Sequence, residues 1–313
     1  MSTAALPAEP DPAEPPWLTL PALRAAWKVV KDNKGVAGGD GVTIARFRLQ
    51  LDANLLALQD EVRAGTYIPG PARQTRLRMG TKWRQITVLP VRDRVLQRAV
   101  LDYLEPRLDP LFLARSYGYR PGRSIHHAVA HIIRLRDQGY TWVVDADIAD
   151  CFGSLDHDYL LTFIAKAVAE PELRDLLRRW IVQPGHGRQA GPARGIPLGA
   201  PISPLLCNLY LHRLDCALRR RGLASVRYAD DFVILCRSEV QAALALQKTA
   251  AILQGLRLAL REEKTRIVSF DEGFDFLGVR FEGDDYTYTF EGKRIRVDES
   301  PPAAIWYYAD GYV

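Results

Sequence analysis

The sequence predicts an α+β fold, helices flanking an antiparallel sheet, on three observations. Residues 141–148 are β-branched and aromatic until they meet Asp145 and Asp147, which reads as a strand ending in carboxylates. Residues 224–227 and 232–235 are a second pair of strand candidates, joined by the tight turn Tyr228-Ala229-Asp230-Asp231. Apolar residues at helical spacing occupy much of the remaining chain, as at Phe47, Leu51, Leu55 and Leu58.

In order, residues 1–20 are rich in proline, alanine and acid and are expected to be disordered. Helices are expected over residues 21–31 and, after the loop Gly35 to Gly41, about 44–64. Basic strands follow at residues 74–79 and 84–89, turning at Gly80. A helix spans residues 92–104, with Val95, Val100, Leu101 and Leu104 inward, and another about 124–136 follows a Gly/Pro-broken basic loop. Beyond the first acidic strand, helices alternate with breaks as far as Gly185-His186-Gly187, and residues 195–199 form a bend. Ser203 suits an N-cap and Pro204 a first turn, with Arg219-Arg220-Arg221-Gly222 closing that helix. A helix near residues 239–254 ends at Gly255, and residues 286–297 form a hairpin turning at Glu291-Gly292. Trp306, Tyr307, Tyr308 and Tyr312 make an aromatic tail.

The 313 residues are enough for one large core or two smaller domains, and 48% hydrophobic with 25% charged residues is ordinary for a globular chain. No apolar run approaches the roughly 20 residues of a membrane span, and the start lacks the basic and apolar regions of a secretory signal. Net charge is +5, and the acids Glu9, Asp11 and Glu14 of the lead-in mask a more basic body, which suits a polyanionic partner. Cys151, Cys207, Cys216 and Cys236 show no CxxC spacing, so they read as small buried side chains in a reducing cytoplasm. His127 and His131 lie four apart on a helix without a third ligand at metal spacing, which favours ordinary helix residues.

The acidic positions carry the chemistry. Period-2 alternation puts Val143, Asp145 and Asp147 on one face. Asp147 then projects from a sheet edge, where Asp230 and Asp231 join it if the two acidic elements pair. Neighbouring carboxylates repel, and a divalent cation relieves them. Two such ions about 3.5–4 Å apart activate an attacking hydroxyl and stabilise a leaving pyrophosphate, and phosphoryl transfer needs little beyond positioning and charge neutralisation.

The order of motifs resembles a bacterial reverse transcriptase of the group II intron type. The resemblance spans about residues 28–281. Asn33-Lys34-Gly35 through Asp40-Gly41-Val42 is similar to the N-terminal loop motif. Arg92 to Gln97 and Ser116 to Ser124 resemble two finger-region signatures. Asp147-Ile148-Ala149-Asp150-Cys151-Phe152 and Tyr228 to Asp231 resemble the two catalytic motifs, with Gly195 to Pro204 the glycine bend between them. Glu263-Lys264-Thr265 and Phe276-Leu277-Gly278 complete the set.

The resemblance implies a right-hand polymerase with fingers over residues 21–140 and a palm over 141–281. Residues 282–313, a hairpin and aromatic tail, leave room only for a rudimentary thumb. It implies that Asp147, Asp230, Asp231 and the Ile148 carbonyl hold two Mg²⁺ ions, with Mn²⁺ as a substitute. It implies that Lys82 and Arg84 grip the incoming triphosphate, that Gly199 lies at the nascent base pair, and that Lys264 protonates pyrophosphate. Phe152 matches the steric gate that favours dNTPs over rNTPs. Leu198 departs from the family's glutamine, which bears on fidelity. The implied partners are an RNA template, a DNA or RNA primer and dNTPs, with no membrane. The implied setting is CRISPR spacer acquisition beside an integrase complex. Alternatives are a group II intron-derived or free-standing defence enzyme, and a catalytically idle nucleic-acid-binding subunit.

Overall fold

A computed structural model describes residues 14–79, 82–182, 193–290 and 293–297. Two compact units divide the chain, residues 1–107 with 198–202 and residues 108–197 with 203–313.

In the first unit, α1 (Leu20–Asp32) starts at Thr19, whose hydroxyl accepts from the Ala22 amide at 3.3 Å. Its buried stripe is Leu23, Ala26, Trp27 and Val30. The single helix expected over residues 44–64 is two helices, α2 (Ile44–Leu49) and α3 (Leu51–Arg63). Gln50, at φ −127° and ψ 42°, interrupts them. The Asn54 side chain stabilises the break by donating to the Phe47 carbonyl at 2.9 Å, an acceptor that the first helix leaves open. Strands β1 (Arg73–Met79) and β2 (Lys82–Val88) pair antiparallel, from Arg73 opposite Val88 to Met79 opposite Lys82. The expected turn at Gly80 lies outside the described residues. Helix α4 (Val91–Leu108) follows. The bend residues 198–202 are laced to β2, because the Thr87 amide donates to the Leu198 carbonyl at 2.8 Å.

The expectation of disorder over residues 1–20 is corrected for its last part. Trp17 and Leu18 are buried, and the Gln59 side chain donates both to the Leu18 carbonyl at 2.9 Å and to Glu14 at 2.5 Å. Two large apolar side chains outweigh the local proline-rich composition.

The second unit runs, in chain order, α5 (Ile125–Asp137), β3 (Trp142–Asp147), α6 (Cys151–Ser154), α7 (His157–Ala167), α8 (Pro171–Val182) and α9 (Ser203–Arg220). Next come β4 (Ala224–Tyr228), β5 (Asp231–Cys236), α10 (Glu239–Gly255), β6 (Arg266–Ser269), β7 (Phe274–Phe276), β8 (Val279–Glu282), β9 (Asp285–Phe290) and β10 (Lys293–Arg296). One sheet has the order β4-β5-β3-β6 and is antiparallel throughout. The other, β10-β9-β8-β7, contains the expected hairpin, whose turn at Glu291-Gly292 lies outside the described residues. Gly185-His186-Gly187 and the aromatic tail lie outside them too.

Ala128, Val129 and Ile132 of α5 share a core with Val143, Val226, Val233, Leu235 and Val268 of the first sheet. The rings of Phe274 and Phe281, stacked at 4.9 Å, extend that core, with Phe270 edge-on to both. Alternation places Val143 on the same face of β3 as Asp145 and Asp147, so α5 seals one end of the face that carries carboxylates at the other. Helix α10 packs against β3, β5 and β6.

Ser203 is not the N-cap that its type suggested. It is the first residue inside α9, buried, and its hydroxyl has no hydrogen-bond partner among the described residues. His127 closes a capping box with Ser124, and His131 Nδ1 lies 2.8 Å from the Tyr117 hydroxyl. The four cysteines are free and all but Cys216 are buried; burial pushes the Cys236 thiol up to about 11. No helix among the described residues is long and apolar enough to cross a membrane.

Candidate active site

Strand pairing brings the separated acids together. Asp147, the last residue of β3, is the direct antiparallel partner of Asp231, the first residue of β5. Such partners hold their Cα atoms about 4.5–5.5 Å apart. Tyr228 pairs with Asp231 on the other side, which makes Ala229 and Asp230 the two-residue turn between β4 and β5. Ala229 takes the left-handed conformation, φ 57°, and its methyl is the smallest side chain that such a turn has to tolerate. Asp230 is thus next in chain to the residue facing Asp147.

The charges around Asp147 are specific. Its side chain is 10% exposed, and its Oδ2 accepts from Lys264 Nζ at 2.6 Å and from Arg261 Nη1 at 3.0 Å. The main chain repeats the connection: Arg261 N–H donates to the Asp147 carbonyl at 2.8 Å, and Ala149 N–H to the Ala259 carbonyl at 2.9 Å. Ile148, between them, is buried and bridges to Leu260. Two residues back, Asp145 accepts from Arg266 Nε at 3.0 Å. Burial holds the Asp145 carboxyl above its usual range, with Asp147 pushing the same way and Arg266 opposing.

A divalent cation suits this donor set in chemistry. All-oxygen carboxylate donors on adjoining strands match a hard ion, and Asp147 already draws two positive side chains. Among the described residues, however, no three His, Cys, Asp or Glu side chains are gathered closely enough to hold a metal ion. Lys264 and Arg261 both occupy Asp147 Oδ2, so an ion held through that oxygen would have to displace them.

Phe152, in α6, is half-buried, with its ring edge-on to Tyr119 at 6.4 Å and 86°. The Ile196 N–H donates to the Phe152 carbonyl at 2.8 Å, so the glycine bend is tied to this residue. In the first unit, Arg84 is exposed on β2 opposite Leu77. Lys82 pairs with Met79 through the backbone, and its side chain lies outside what is described. Gly199, φ 106°, packs directly on β2: a Cβ there would meet Ile86 Cγ2 at 2.6 Å and the Thr87 carbonyl oxygen at 2.7 Å. The structure therefore gives Gly199 a packing reason of its own.

Sequence reasoning missed Arg227, Asp215 and Asn208. Arg227 and Asp215 form a buried ion pair at 2.6 Å behind the Ala229-Asp230 turn. The only sequence signal was an arginine in the strand candidate that leads into the Asp230 turn. A cavity of about 1030 Å³ lies elsewhere in the second unit, lined by Tyr117, Arg123, His127, Arg134, Tyr286 and Arg296; no expected site residue lines it.

Residues 75–281 match the family described as reverse transcriptase (RNA-dependent DNA polymerase). The chain belongs to that family. It is 31% identical over 312 residues to Protein YkfC of Escherichia coli K12, covering 85% of this chain and 80% of that one. It is 33% identical over 159 residues to the group II intron-encoded protein LtrA of Lactococcus lactis subsp. cremoris, covering 49% of this chain and 26% of LtrA. A chain in a partial Cas6-RT-Cas1–Cas2 complex is 27% identical, with a TM-score of 0.46, over 75% of this chain and 40% of that one. This reverse transcriptase therefore spans most of YkfC but about a quarter of LtrA. The right-hand α+β fold and the enzyme class, RNA-directed DNA polymerase, follow from the family.

Proposed function

We propose that this chain performs RNA-templated DNA synthesis, and that Asp147, Asp230 and Asp231 are its catalytic carboxylates. The observation that carries this reading is the pairing of Asp147 with Asp231 across β3 and β5. In the reaction the primer 3′-hydroxyl gives up its proton to water, and its oxygen forms a bond to the α-phosphorus of a dNTP. The bond from that phosphorus to the bridging oxygen breaks, and pyrophosphate leaves with the electron pair. Divalent cations, when bound by the three carboxylates and the Ile148 carbonyl, supply activation of the hydroxyl and neutralisation of the leaving charge.

The chain's own groups do the rest. Lys264, 2.6 Å from Asp147, delivers a proton to pyrophosphate once it is released from that carboxylate, a role that its nearness to Asp147 supports. Phe152 presses against the sugar where a 2′-hydroxyl would stand. Arg84, as a planar fork, takes triphosphate oxygens, and Lys82 adds a point charge beside it.

A second reading, an idle nucleic-acid-binding subunit, is favoured by one observation: Lys264 and Arg261 both occupy Oδ2 of Asp147. Extension of a primer on an RNA template, with dNTPs and Mg²⁺, separates the two. Incorporation by the wild type that is lost in Asp230→Asn supports the enzyme; a wild type that binds primer–template without extending it supports the subunit.

For the setting we propose the one implied by the motif resemblance, copying RNA into DNA beside a CRISPR integrase. An intron-derived or free-standing defence role is the alternative. Sequencing new spacers in cells that carry the chain with an integrase tests it: RNA-derived spacers that vanish in Asp230→Asn support it, and none in either sinks it.

A further inference from the structure

Arg227 stands immediately before the catalytic turn, and its guanidinium has no idle donor. Nε donates to Asp215 Oδ1 at 2.9 Å and Nη2 to Asp215 Oδ2 at 2.6 Å. Nη1 donates to Asn208 Oδ1 at 2.9 Å and to the Ala229 carbonyl at 2.7 Å, and Nη2 also to Ser116 Oγ at 2.7 Å. Those five bonds use all five N–H groups of an arginine side chain. Arg227 is 1% exposed and the Asp215 side chain 2%.

The neighbouring loop is drawn into the same arrangement. Arg227 N–H donates to the Arg115 carbonyl at 3.0 Å, and Tyr117 N–H to the Arg227 carbonyl at 2.9 Å. Asn208 uses its other end on the Gly118 carbonyl at 2.9 Å.

Stability is a poor reason for such a pair. Two charges stripped of water lose in hydration about what they gain from each other, and apolar residues of similar size often do as well or better. An apolar pair cannot, however, aim a charged donor at the Ala229 carbonyl. That carbonyl belongs to a residue held at φ 57°, one bond before Asp230. Lysine would supply the charge without the fork.

We propose that Arg227, oriented by Asp215, is a positioning residue that fixes the Ala229-Asp230 turn so that Asp230 and Asp231 can bind a divalent cation. The proposal rests on the polymerase reading for its purpose, but its test does not require the reaction.

The test removes both charges together, Arg227→Met with Asp215→Leu. Thermal unfolding, Mn²⁺ affinity of the protein alone by electron paramagnetic resonance, and single-nucleotide incorporation with Mg²⁺ are then compared with wild type. The expected result is a folded protein with a lowered melting temperature, because Asn208 Oδ1, Ser116 Oγ and the Ala229 carbonyl lose their donor, and with Mn²⁺ affinity about ten-fold weaker. The incorporation rate should fall about a hundred-fold, with little change in KM for dNTP. A folded double variant with wild-type Mn²⁺ affinity overturns the proposal. If the double variant does not fold, Ser116→Ala decides: it deletes one of the five bonds, and Mn²⁺ affinity as strong as wild type is the refuting result. Wild-type protein that binds Mn²⁺ but extends no primer sinks the polymerase reading and leaves this one standing. Wild-type protein that binds no Mn²⁺ overturns this one.

Discussion

Replacing Gly118 by alanine tests whether the Ala229-Asp230 turn governs the rate. A Cβ at residue 118 would lie 2.3 Å from the Ala229 nitrogen, 3.0 Å from the Tyr228 carbonyl carbon and 3.1 Å from Ala229 Cα. All three are backbone atoms, so no side chain can swing away. Reaching even 3.0 Å from the nitrogen requires a shift of at least about 0.7 Å, an overpacking that costs about 1–3 kcal/mol. The turn is tied to Arg227 on its other side by the 2.7 Å bond to the Ala229 carbonyl, so the shift reaches Asp230 next in chain. A displacement near 1 Å at a reacting centre lowers the rate about a hundred-fold. Gly122→Ala is the control, since Gly122 has φ 69° and nothing within 4 Å of a Cβ. It should cost about 1–2 kcal/mol of backbone strain and leave the rate alone. Single-turnover incorporation and thermal unfolding of both variants decide. Gly118→Ala with a wild-type rate, or Gly122→Ala as slow as Gly118→Ala, refutes the reasoning.

Three further outcomes are expected. Lys264→Met removes a competitor for the Asp147 carboxylate; the lysine is 43% exposed, so screening keeps the gain modest. The half-saturating Mg²⁺ concentration should drop about two- to five-fold in primer extension, and an unmoved value denies the competition. Phe152→Ala should raise rNTP use relative to dNTP about ten-fold, measured by competitive incorporation; unchanged selectivity removes its gate role. Burial is the main reason that His131 and His212 titrate below their ordinary value. Arg134 and Arg115 add to this at His131; at His212 Asp215 opposes it and Arg227 adds to it. The native state thus prefers both rings neutral, and its stability declines as pH drops from about 6.5 through the lowered values. Melting temperatures at about pH 7.5 and 5.5 check this: the double variant His131→Gln with His212→Gln should show a smaller decline, and an equal decline refutes the assignment.

Much of the second unit was legible because its strands carry their own period. The apolar run to Asp147 and the turn at Ala229 both stand where pairing requires them. What alternation cannot give is the partner of each charge. Lys264 and Arg261 reach Asp147 only because β6 returns beside β3, a tertiary fact with no local signal. Arg227 and Asp215 are 12 positions apart on a strand and a helix, and each alone reads as an ordinary charged residue. The break at Gln50 was invisible for a related reason. No glycine or proline marks it; a side chain from the following helix makes it affordable. Ser203 misled because residue type favours a cap, whereas its place inside α9 left the hydroxyl buried.

The stretch from α10 to β6 touches the end of β3 and the two residues after it at three consecutive places: Ala259 and Leu260 bond or bridge to Ala149 and Ile148, and Arg261 to Asp147. Its length is therefore metered residue by residue against residues 147–149, unlike that of an ordinary surface connection. An insertion or deletion of a single residue there would slip the ammonium and guanidinium out of register with their carboxylate. Sequence drift in this connection should consequently proceed by substitution at constant length.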